Sequence, residues 1–88
     1  MLNFLFSDFM HEFSIALEIV DTLEENGYLD GVNKVNSVRL NIGKYSGIDR
    51  NYLDFAFQNL DDDRFKGVLL EFVLNDSDEI RIEEIMVD

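Results

Sequence analysis

Between Leu2 and Leu23 the large apolar residues recur every three or four positions, whereas between Val38 and Ile42 they recur every second position. That change of period restricts the chain to a fold that mixes helix with strand. Phe13, Ala16, Leu17, Val20 and Leu23 form the helical stripe, widened by Ile15 and Ile19, with Glu18, Asp21, Glu24 and Glu25 on the wetter side. Leu2, Phe6, Phe9 and Phe13 keep the same phase, so the pattern predicts a helix prolonged backwards into the first nine residues. Gly27 supplies its stop, because glycine enters the left-handed conformation at little cost.

Val38, Leu40 and Ile42 alternate with Ser37, Arg39 and Asn41, as in a half-buried strand. GKYSG, from Gly43 to Gly47, reads as a turn, and Asp49 as the N-cap of a second helix. That helix carries the stripe Leu53, Ala56, Phe57 and Leu60, and the polar run DDDR closes it. Gly67 opens VLLEFVL, with Val68, Leu70, Phe72 and Leu74 on one face and Leu69, Glu71 and Val73 on the other. The second face is apolar enough to suggest partial cover by another chain. NDSD is a turn. In the last segment the doubled Glu83-Glu84 shifts the alternation by one between Ile82 and Ile85, which a β-bulge absorbs.

The order is therefore helix, strand, helix, strand, strand. Each amphipathic element needs a partner face, and the economical α+β solution packs two helices on one face of a small mixed three-stranded sheet. A strand–helix–strand connection favours a parallel crossover between the first two strands. The short NDSD turn favours an antiparallel pair between the last two. The expected core is Leu17, Val20, Leu40, Ile42, Leu53, Phe57, Leu70, Phe72 and Ile82.

Composition narrows the function. With 88 residues the chain holds one core. Nineteen acidic against 7 basic residues give a net charge of −12, which argues against nucleic acid, whose phosphates need clustered Lys and Arg, and against anionic membranes. MLNFLFSDF lacks the basic residues and cleavage site of a targeting signal, and no apolar run reaches the roughly twenty residues of a membrane span. The chain reads as cytoplasmic. It has no cysteine, hence neither disulfide nor thiolate metal site.

Chemistry-bearing candidates are few. His11 is the sole histidine, so a two-histidine site within one chain is excluded. GKYSG lacks P-loop spacing. DDDR, NDSD and the paired glutamates lack the regular spacing of a calcium loop and read as solvated surface. Met10-His11-Glu12 remains, either as the polar first turn of a helix or as a metal-binding segment.

MHEFSIALEIVDTLEE, VNSVRLNIGKYSGIDRNYLDFAFQNL, KGVLLEF and DEIRIEEIMVD together resemble the HypA family of hydrogenase and urease nickel-maturation proteins. The resemblance covers residues 10–88, with its pieces in family order, and leaves 1–9 as an apolar N-terminal extension. It implies a non-enzymatic nickel metallochaperone domain. Ni(II) would be held at Met10, His11 and Glu12, by a terminal amine, the His11 imidazole and the backbone nitrogens of His11 and Glu12. Such nitrogen ligands suit square-planar Ni(II). The implied partners are the GTPase HypB and the hydrogenase large subunit.

The sequence departs from the family twice. Nine residues precede Met10, so that residue carries no free amine. NDSD also stands where family members carry a zinc module with two CxxC pairs, so no zinc is expected. These departures keep a second reading open: a HypA-fold interaction or oligomerisation module that has lost metal binding. A homodimer built on Leu2, Phe4, Leu5, Phe6 and Phe9 belongs with either reading.

Overall fold

The computed structural model describes the backbone of residues 2–88 and the side chains of residues 11–88. The expected roles of the Leu2, Phe4, Leu5, Phe6, Phe9 and Met10 side chains lie outside the described residues. The first helix, α1, spans Leu2–Glu25, so the backward prolongation is present. It ends in a Schellman turn: Tyr28 N–H donates to the Leu23 carbonyl and Gly27 N–H to that of Glu24, each at 3.0 Å. Gly27 makes this possible at φ +79°.

α1 buries Glu12, Ala16, Ile19, Val20 and Leu23. Leu17, expected in the core, is instead 45% exposed. It stands about 100° round the helix from Ala16, beyond the line that meets the sheet. The apolar stripe is therefore narrower than the sequence suggests, and a glutamate lies on it.

β1 spans Val35–Gly43, α2 Arg50–Gln58, a 3-10 turn Asp63–Phe65, β2 Leu69–Asn75 and β3 Ile80–Val87. The sheet order is β2-β1-β3. β1 pairs parallel with β2, Leu40 opposite Phe72, and antiparallel with β3, Leu40 opposite Ile82. The expected pairing of the last two strands is thus wrong, since β1 lies between them. The strand with the driest face takes the centre: Val38, Leu40 and Ile42 are at most 2% exposed. The β2–β3 turn consequently crosses the end of β1. Gly43 N–H donates to the Glu79 carbonyl at 2.8 Å, Lys44 N–H to that of Asn75 at 2.9 Å, and Tyr45 N–H to that of Ser77 at 3.1 Å. A Cβ on Gly43 would lie 2.1 Å from the Ser77 carbonyl oxygen, so only glycine permits the crossing. The bulge falls where expected: Glu84 faces Arg39 and Ile82 faces Leu40, leaving Glu83 as the extra residue.

Both helices cover one face of the sheet. Val20, Leu40, Ile42, Leu53 and Phe57 are buried as expected, while Leu70, Phe72 and Ile82 are partly buried against them. Leu29, Val35 and Phe65 join the core as well, Phe65 with its ring centroid 6.0 Å from that of Phe57. On the open face Arg39 bridges Glu71 at 3.5 Å and Glu84 at 3.6 Å across all three strands. Leu69 and Val73 lie exposed beside it. Arg64 ties the 3-10 turn to α1, contacting Glu24 and Asp62 at 2.7 Å each. Its hydrogen bonds hold the Asp62 carboxyl below the ordinary carboxylate range, and the two carboxylates push the guanidinium up in turn.

Candidate metal centre

His11 and Glu12 lie well inside α1 rather than in its first turn, because the helix begins at Leu2. Consecutive residues on a helix diverge by about 100°, and here the two side chains enter opposite environments. Glu12 continues the buried line of Ala16, Ile19 and Leu23 and is only 2% exposed. His11 is exposed, in helical phase with Ile15, Glu18 and Thr22 on the outer flank. The structure therefore separates imidazole from carboxylate.

The Glu12 carboxylate has a defined task. Its Oε2 accepts the Asp49 backbone N–H at 2.7 Å. Asp49 is the N-cap of α2, as the sequence indicated, and its Oδ1 accepts from Asn51 N–H at 2.9 Å and Tyr52 N–H at 3.1 Å. In a capping box, a glutamate three residues into the same helix would satisfy the N-cap amide. Here the carboxylate comes from another helix, 37 residues earlier in the chain. Negative charge at this end of α2 is also favoured by the helix dipole. The other oxygen, Oε1, is buried without a hydrogen-bond partner among the described residues. The sequence reading missed the burial of Glu12, although its spacing of four, seven and eleven from Ala16, Ile19 and Leu23 carried the signal.

The backbone nitrogens of His11 and Glu12 are also placed. Inside α1 each N–H is directed to the carbonyl four residues earlier, so neither is available to a metal while the helix persists. Among the described residues, no group of three or more His, Cys, Asp or Glu side chains is arranged to hold a metal ion. A centre at this position would draw on the His11 ring and on backbone nitrogens, not on a carboxylate cluster.

Glu12 also links this segment to the loop between β1 and α2. That loop is held from the α1 side at Asp49 and from the β2–β3 turn at Gly43, Lys44 and Tyr45. The MHE segment, the GKYSG loop and the NDSD turn are thus joined in one chain of contacts. No described helix is long and apolar enough to cross a membrane.

Comparison with known proteins bears on the same region. The family model described as "Hydrogenase/urease nickel incorporation, metallochaperone, hypA" matches residues 10–78. The hydrogenase maturation factor HypA of Syntrophus aciditrophicus is 41% identical over 63 residues, covering 70% of this chain and 55% of that protein. The HypA of Rhodobacter capsulatus is 48% identical over 48 residues, covering 54% of this chain and 42% of that protein. The chain thus spans about half the length of the curated relatives it matches. The solution structure of the Ni metallochaperone HypA from Helicobacter pylori superposes with a TM-score of 0.59 at 16% identity, covering 88% of this chain and 86% of that one. This last likeness is one of fold.

Proposed function

The chain belongs to the HypA family, and from that premise we propose that residues 10–88 carry Ni(II) for the maturation of nickel enzymes such as hydrogenase. Nickel is the cargo of this domain, which catalyses no reaction of its own. The His11 imidazole is the anchoring ligand, joined by the deprotonated backbone nitrogens of His11 and Glu12 and by the amine of Met10 where that residue is the N-terminus. The GTPase HypB and the hydrogenase large subunit are the partners to which the metal passes. With no cysteine in the chain, the domain works with nickel and without zinc.

The observation that carries this reading is the opposed placement of two adjacent side chains. Glu12 fixes the segment to α2 from below, while His11 stays exposed. The first four N–H groups of any helix lack intrahelical acceptors. In a helix that starts at Met10, the His11 and Glu12 amides fall within that group and are free to lose protons to nickel. In the helix that starts at Leu2, binding must first open the turn that contains them.

Calorimetry with Ni(II) tests the reading on three proteins. A chain starting at Met10 takes up one ion, more weakly as pH falls because its nitrogen ligands must deprotonate. His11→Ala in that chain abolishes uptake, and the full 88-residue chain binds more weakly. A Met10-starting chain that ignores nickel overturns the proposal. The amides enclosed in α1 favour a second reading for the full chain, an interaction module that has lost metal binding. Residues 1–9 would then supply a homodimer contact, and sedimentation of the full chain against the Met10-starting chain checks it.

A further inference from the structure

A groove runs between α1 and β3, lined by Ile15 and Ile19 from the helix and by Ile82 and Ile85 from the strand. Arg81, Glu83 and Glu84 line it too. Successive side chains of a strand point to opposite faces, so a concavity bordered by both sets follows the strand's edge. That edge is open. β3 pairs only with β1 among the described residues, leaving a row of backbone groups without a strand partner.

We propose that this groove receives an extended, basic segment of a partner protein, added as a fourth strand along β3. Its alternate apolar side chains would fill the space beneath α1, and its Lys or Arg side chains would meet the rim. Backbone hydrogen bonds give such a strand its affinity, and the pockets for alternate side chains give it selectivity. Charge chooses the occupant. Glu18 and Glu83 outnumber Arg81 on the rim, Glu84 being already paired with Arg39, and the whole chain carries −12. A second copy would bring the same charge against itself, whereas a basic segment is drawn in. The bulge at Glu83 requires the incoming strand to match an irregular edge. The inference rests on neither nickel nor His11.

The test uses the full chain and an end-blocked peptide of alternating lysine and valine, matched to the 8 residues of β3. Backbone amide shifts are followed by NMR as the peptide is added. The expected result is a change concentrated at Arg81–Ile85 and Ile19, with slowed hydrogen exchange along β3. Binding should weaken with salt and by about tenfold in the surface variant Glu18→Lys/Glu83→Lys, as rim charges do in complementary interfaces. An alternating lysine–serine peptide should bind far more weakly. If it binds equally well, or if the shifts appear on β2, the groove is not the docking site. Concentration-dependent shifts at β3 without any peptide would assign the edge to a second copy and overturn the proposal.

Discussion

On one side of the β1–α2 loop, the Glu12 carboxylate reaches across from α1 to the Asp49 amide; on the other, the β2–β3 turn lies backbone to backbone against Gly43. The two ties hold the same loop by different means. The Gly43 crossing is steric, with no room for even one methyl group. The Glu12 tie is polar and keeps a buried oxygen without a partner among the described residues, so desolvation offsets part of what its hydrogen bond contributes. A backbone crossing tolerates almost no substitution at its closest point, while a side-chain tie tolerates any residue that presents an acceptor.

The largest effect is expected at the crossing. Gly43→Val must push the Ser77 carbonyl away and break the three turn hydrogen bonds, costing about 3 kcal/mol by overpacking. Urea unfolding measures it. A loss under half of that would mean that the turn moves freely and that the two ties are alike.

Next comes Glu12. Glu12→Ala strips the Asp49 N–H of its acceptor and should cost about 2 kcal/mol, whereas Glu12→Gln keeps a carbonyl acceptor and should cost less than about 1. Equal losses for the two variants would show that charge, rather than the hydrogen bond, makes the tie.

The smallest effect belongs to the half-buried tie through Arg64. Asp62 has a folded pKa below its unfolded value, so its stabilisation is fully present above the unfolded value of about 4 and fades as pH falls through the lower folded one. Asp62→Asn should therefore flatten the acid limb of the stability curve, by about 1 kcal/mol for a pair that solvent still partly screens. An unchanged acid limb would remove Asp62 from the account.

Much of this was legible in the sequence. The long first helix, the strand alternation, the Asp49 cap and the Glu83 bulge all follow from spacing, because period and turn chemistry are local properties. Strand order was not legible. A four-residue turn suits a hairpin, but it also spans a central strand when that strand ends in glycine, as at Gly43. Phe65 and Leu29 were missed because each stands in a short connection between elements, too short to carry a period. At the candidate centre, MHE identified the segment through family resemblance. The direction of each side chain depends on where α1 starts and what its faces meet, and three letters do not state that.

The central claim is that nickel and the helical hydrogen bonds of α1 compete for the amides of His11 and Glu12. Circular dichroism at the helical band, followed while Ni(II) is added to the full chain, tests it most directly. The account predicts weak uptake accompanied by loss of helical signal in proportion to the metal bound, and no such loss in the chain starting at Met10. Tight uptake of one equivalent by the full chain with its helical signal intact would contradict it, because the ligands could not then be those amides.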